Sequence, residues 1–89
     1  MKGLKEFLEY HKLNCLGSYF INLVGYSRGK GSYKIYYNEE SEFKNRFNFI
    51  KKKLEKENYK IYKISKEQKA NVTNFVKRIY FKKDIDKNK

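Results

Sequence analysis

The sequence predicts a small α+β domain in the order helix–strand–strand–helix–strand–strand, with an antiparallel sheet and the helices packed on one of its faces. Three observations lead there. Two segments repeat apolar residues at three- and four-residue steps, and four others are rich in β-formers or alternate in polarity. The 89 residues also contain 18% Phe and Tyr, which supplies buried area that a disordered basic chain lacks. A chain of this length forms one domain, so residues 1–83 are expected to be a single unit and 84–89 a frayed charged tail.

Leu4, Phe7, Leu8, His11 and Cys15 share one helical face, which predicts an amphipathic helix over residues 2–13 with that face half-buried and Gly17 as its stop. The apolar run within 18–26 is too short for periodicity to separate a buried strand from a buried helix, and strand is the expectation. Arg28-Gly29-Lys30-Gly31 then offers two glycines for the positive φ of a hairpin turn, with Arg28 and Lys30 at its tip. Ser32 to Asn38 alternates, with Tyr33, Ile35 and Tyr37 on one side.

Asn38 is the expected cap of a second helix, and Glu39, Glu40 and Glu42 suit the positive end of its dipole. Phe43, Phe47, Ile50 and Leu54 form a single apolar stripe, which predicts helix over 39–57. Its other faces carry Lys44, Arg46, Lys51, Lys52, Lys53 and Lys56 against Glu55 and Glu57. Tyr59 to Ile64 reads as a strand, Ser65 to Asn71 as a hairpin connection, and Val72 to Phe81 as a longer strand with Phe75, Ile79 and Phe81 on one side. The edge of that last strand is a candidate for pairing with a second copy in a homodimer.

Charge points to a partner. The formal net charge is +12, with +1 on residues 1–27 and +11 on residues 28–89. Bases alternate with aromatics at Lys34 and Tyr36, Lys60 and Tyr62, and Lys77-Arg78 and Tyr80. Lysines neutralise phosphates and release counterions, while tyrosine rings stack on unpaired bases. The expected function is therefore non-catalytic binding of DNA or RNA through a basic helix face and basic, aromatic strands. Candidate phosphate contacts are Arg28, Lys30, Lys34, Lys52, Lys53, Lys60, Lys63, Lys77 and Arg78; candidate stacking residues are Tyr36, Tyr62 and Tyr80. The competing view of the same residues is that the tyrosines are core and the lysines a solvated face. A second functional class is a small inhibitor or adaptor, of the kind phages and mobile elements encode, that docks on an acidic protein or nucleoprotein.

Enzyme chemistry has little to build on. His11 is the single histidine, Cys15 the single cysteine, and no Asp precedes Asp84, so neither a Cys-based zinc site nor a two-carboxylate metal site of the Asp-first order is available. No G-x-x-x-x-G-K-[ST] loop is present, and no metal or cofactor is expected. A metal-independent RNase of toxin type, using His11 with Lys, Arg and Tyr, is the one catalytic alternative. The longest uncharged stretch, Leu13 to Ser27, is too short and polar to span a bilayer, and Glu6 and Glu9 do not suit a signal peptide. A cytoplasmic setting is expected, that of a host cell if the protein is viral.

The segment Leu23-Val24-Gly25-Tyr26-Ser27-Arg28-Gly29-Lys30-Gly31-Ser32-Tyr33 resembles a degenerate version of the motif that names the LAGLIDADG homing endonucleases. Leu23, Gly25, Gly31 and Ser32 are its identities, and the elements through Lys83 follow the family's order, so the resemblance covers about two-thirds of the chain. It implies a packed helix over Tyr19 to Ser27, pairing of two copies around Gly25, and a saddle-shaped sheet in the DNA major groove. Lys30 stands where the family has its metal-binding acid and Arg28 where it has an earlier acid, so the resemblance implies a relative that does not cleave.

Overall fold

A computed structural model of the chain describes residues 3–16 and 20–84. Two helices, α1 (Leu4–Asn14) and α2 (Glu40–Lys56), combine with five antiparallel strands: β1 (Ile21–Ser27), β2 (Lys30–Tyr37), β3 (Tyr59–Ile64), β4 (Gln68–Lys69) and β5 (Phe75–Lys83). The sheet order is β1-β2-β5-β3, with the two-residue β4 also paired to β5. The expected α+β class and element order are found, with β4 added inside the stretch 65–71. The Ser65 N–H donates to the Arg78 carbonyl and the Arg78 N–H to the Ser65 hydroxyl, bridging the interval between β3 and β4, so residues 59–83 form one long, irregular hairpin.

The core gathers on one side of the sheet. Tyr33, Ile35 and Tyr37 of β2 and Ile79 and Phe81 of β5 are buried with Leu13 of α1 and Phe43, Ile50 and Leu54 of α2. Phe47, the remaining member of the α2 stripe, is half-buried against them. Phe81 sits among aromatic rings, with centroids of Tyr33 and Tyr59 both 5.4 Å away.

Several boundaries differ from expectation for identifiable reasons. Asn38 does not cap α2 with its side chain; Glu39 is the cap residue, and the Glu42 carboxylate reaches back to accept the N–H groups of Asn38 at 2.7 Å and Glu39 at 3.3 Å. Those two bonds hold the Glu42 carboxyl below its usual value. Asn58, with φ 70°, takes the left-handed position that ends α2. The last strand begins at Phe75 rather than Val72, because the Asn71 side chain accepts the N–H groups of Thr73 and Asn74 and closes a local turn. Its far end runs past Phe81 to Lys83, and Asp84 still donates its N–H to the Asn58 carbonyl. Residues 85–89 lie outside the described residues, as do residues 1–2 and the expected stop at Gly17.

Two further corrections concern what the sheet exposes. The strand 75–83 is not an edge: β2 and β3 flank it on both sides, so it offers no free ladder to a second copy. Residues Ile21–Ser27 are extended, not the packed helix that the LAGLIDADG resemblance implies.

Helix α1 presents its apolar stripe outward. Leu4, Phe7 and Leu8 are 71%, 56% and 56% exposed, while Leu13 on the opposite side is 1% exposed. The reason is a polar anchor that fixes the helix rotation. Glu9 accepts from the Tyr26 hydroxyl at 2.8 Å and pairs with the Lys83 ammonium at 3.3 Å, and the Tyr26 and Tyr59 hydroxyls lie 2.7 Å apart. Tyr33 donates its hydroxyl to the Leu13 carbonyl, and Arg28 its backbone N–H to the Glu6 carboxylate. Burial opposes ionisation of Glu9, but Tyr26 and Lys83 outweigh it and hold the carboxyl below its ordinary value. Burial, then Tyr59 and Glu9, push the Tyr26 hydroxyl well above its ordinary range. Burial likewise opposes the charge on Lys83, and hydrogen bonding to Tyr59 with the field of Glu9 raises it nonetheless. Among the described residues no helix is long and apolar enough to cross a membrane.

Candidate nucleic-acid interface

Side chains alternate across a sheet, so the residues between the core positions of β2 and β5 form its second face. On β2 these are Lys30, Ser32, Lys34 and Tyr36, and on β5 Val76, Arg78, Tyr80 and Lys82. Strict alternation would send Lys60 and Lys63 of β3 to opposite sides. A register shift between Ile61 and Lys63 leaves Tyr62 as an extra residue, so Lys60 opposes Lys82 and Lys63 opposes Tyr80 on the same face. The bulge thereby places both lysines among the bases of β2 and β5.

The register arranges this face in rows. Lys30, Lys82 and Lys60 are direct neighbours across three strands. The next row holds Ser32, Tyr80 and Lys63, then come Lys34 and Arg78, and finally Tyr36, Val76 and Gln68. No described position in these rows is a carboxylate. Directly opposed like charges destabilise an antiparallel pair; at about 5 Å in water each repulsion is worth roughly 0.8 kcal/mol before salt screening. The directly opposed pair Lys30 and Lys82 is thus a cost to the free protein that a bound polyanion would reverse.

Cations and rings interleave on this face. The Lys63 ammonium lies 5.3 Å and the Arg78 guanidinium 5.9 Å from the Tyr80 ring centre, and the Lys82 ammonium 5.3 Å from that of Tyr62. The Tyr62 and Tyr80 rings are 6.3 Å apart, and Tyr62 is 49% exposed. Beside them, Lys34, Ser65, Gln68, Val76, Arg78 and Tyr80 line a shallow groove of about 290 Å³.

Of the residues the sequence singles out, Lys30, Lys34, Lys60, Lys63 and Arg78, with Tyr36, Tyr62 and Tyr80, come together here. The others do not. Lys77 points to the core side, its ammonium 4.4 Å from the Phe43 ring centre and 3.7 Å from the Glu40 carboxylate. Lys52 and Lys53 stand on α2, whose stripe packs against the opposite, Tyr37-bearing side of the sheet, and Lys53 lies 5.6 Å from the Phe49 ring centre. Arg28 sits in the β-turn itself, with φ 55° beside Gly29 at 79°, a two-residue turn of type I′. The tip does not project as a finger, because Lys83 donates its N–H to the Gly29 carbonyl at 2.8 Å. Lys82 joins the face although it lies past the expected strand end at Phe81; its parity with Val76, Arg78 and Tyr80 is the sequence signal that marks it.

The catalytic alternative gains no such convergence. His11 is on the exposed side of α1, its ring 4.3 Å from Phe7 and 5.5 Å from Tyr10. Among the described residues no three His, Cys, Asp or Glu side chains gather where they could hold a metal ion. No protein family, characterised protein or solved structure matches this chain.

Proposed function

We propose that the protein binds nucleic acid, without catalysing a reaction, through the face of the sheet that carries Lys30, Lys34, Lys60, Lys63, Arg78 and Lys82. The observation that carries this reading is the composition of the face: six cations with Tyr36 and Tyr80 in register, the bulged Tyr62 beside Tyr80, and no carboxylate at a described position of these rows. Phosphates bring negative charge to a row built of lysines, and each neutralised phosphate releases counterions. Lys52 and Lys53 of α2 belong to a different surface and add long-range attraction rather than contacts, whereas Lys51 and Glu55 line a groove with Lys60, Tyr62 and Lys63 at the β3 edge. A reducing cytoplasm suits the lone, exposed Cys15.

The test is fluorescence anisotropy of labelled DNA and RNA from about 50 to 300 mM salt. Lys34→Glu with Arg78→Glu is expected to abolish most binding at physiological salt, and Lys52→Glu with Lys53→Glu to leave most of it. The opposite ranking would move the interface to α2. Release of every nucleic acid near physiological salt by the wild-type protein would overturn nucleic-acid binding and redirect the search to an acidic protein or nucleoprotein.

A further inference from the structure

The geometry points to a single strand as the ligand: we propose that its phosphate backbone crosses the sheet along the Lys30–Lys82–Lys60 row while unpaired bases lie over Tyr80 and Tyr62. This rests on the sheet face being the nucleic-acid interface, and names which form of nucleic acid that face takes.

Three features of the face carry it. The first is the lysine row, which runs across the strands at one end of the sheet and continues over three of them without interruption. The second is the position of the rings. Tyr80 follows Lys82 on the same face of β5, about 6.8 Å away along the strand, and the bulge at Tyr62 sets a half-exposed ring beside it. A chain whose phosphates follow the lysines therefore has its bases within reach of two aromatic surfaces. Only unpaired bases can use them, because the π-faces of a duplex are already covered by their neighbours.

The third feature is width. Four strands side by side span about 14 Å between the outer backbones at the usual strand spacing. A major groove about 12 Å wide admits a helix or a two-stranded ribbon, not this face. The one element with the dimensions of a ribbon, the β1–β2 hairpin, is tied at its tip to β5 through Gly29 and to α1 through Arg28. It is not free to enter a groove.

The experiment compares a labelled 12-nucleotide oligo(dT) with a duplex of the same length, using the full chain and four variants. Wild-type protein is expected to hold the single strand more tightly than the duplex at about 150 mM salt. Lys30→Ala/Lys60→Ala/Lys82→Ala should reduce the salt slope on oligo(dT) by about 2, near 0.7 for each phosphate no longer neutralised. A charge-matched variant on α2, Lys44→Ala/Lys52→Ala/Lys56→Ala, which spares the Lys51 that lines a groove with Lys60, Tyr62 and Lys63, should leave most of that slope in place. Tyr62→Ala should weaken binding about five- to hundredfold, the range for removal of one stacking partner, whereas Tyr62→Phe retains the affinity.

Equal or tighter binding of the duplex, weakened by the lysine-row variant, would overturn the single-strand assignment while leaving the sheet as the interface. Equal slopes for the row and α2 variants, or full affinity in Tyr62→Ala, would overturn the backbone path or the stacking. Absence of binding to both probes at physiological salt would remove the proposed function itself, and the inference with it.

Discussion

Gly31 is the position where a single methyl group should cost most. A Cβ there would lie 2.5 Å from the Gly25 carbonyl oxygen and 2.7 Å from Cζ of Phe81. Neither neighbour yields easily. The carbonyl belongs to the β1 backbone, paired to β2 on either side of this point, and the Phe81 ring is fully buried between Tyr33 and Tyr59. Overpacking of a filled core costs about 1–3 kcal/mol, and two immovable neighbours place Gly31→Ala near the top of that range. For a domain of this size, about 2–3 kcal/mol corresponds to a fall in Tm of roughly 10–20 °C. Gly25→Ala is the control, since a Cβ there meets nothing within 4 Å and the residue does not occupy a positive φ. It should remain within about 0.5 kcal/mol of wild type. Urea unfolding followed by circular dichroism measures both. Gly31→Ala within about 0.5 kcal/mol of wild type, or Gly25→Ala the worse of the two, would refute the close approach of β1, β2 and Phe81 on which the core packing depends.

The outward rotation of α1 is tested by a pair of leucines: Leu13→Ala should cost about 2–5 kcal/mol and Leu8→Ala less than about 1 kcal/mol, read as midpoints of urea unfolding, because Leu13 is 1% and Leu8 56% exposed. The Glu9 anchor makes stability depend on pH at both ends. The folded carboxyl lies below its unfolded value of 4.5, so its contribution is complete above about 4.5 and lost as pH falls through the lower folded value. Tyr26 and Lys83 are raised above unfolded values of 10.0 and 10.5, so their contributions are complete below those values and lost as pH rises through the higher folded ones. Thermal melts of Glu9→Gln from about pH 3 to pH 7 should show a flatter acid limb than the wild type.

Most of the fold is legible in the sequence because periodicity reports which residues share a face. The stripe of α2, the alternation of β2 and the placement of Ile79 and Phe81 all follow from it. Periodicity does not report which side a face will take. In α1 the apolar stripe is clear in the sequence, yet Glu9 finds Tyr26 and Lys83, residues 17 and 74 positions away, and those bonds turn the stripe to solvent. The glycines near the hairpin mark where the chain turns but not how. Arg28 takes the positive φ expected of a second glycine, and Gly31 is needed for close packing instead. The candidate interface is legible as alternating bases and tyrosines. Its membership is not, because the bulge at Tyr62 and the central position of β5 decide it, and both arise from pairing between distant segments.

The same charges that suggest a ligand also explain why this face is left uncovered. A third helix laid over it would have to remove from water six cations on a face whose described positions include no carboxylate. Desolvating a charge costs several kcal/mol after relaxation, far more than the apolar area of Val76 and the Tyr36, Tyr62 and Tyr80 rings would return at about 25 cal/mol per Å². The charged heads of Lys63, Arg78 and Lys82 instead lie over the Tyr80 and Tyr62 rings, 5.3–5.9 Å from their centres, so the rings are met by cations rather than by an apolar layer. This arrangement also suits exchange. On the proposed function, a base would displace a cation from a ring while the released ammonium or guanidinium would gain a phosphate, so one movement would supply both stacking and charge neutralisation. An apolar protein surface offers only the first of these and an exposed carboxylate only the second.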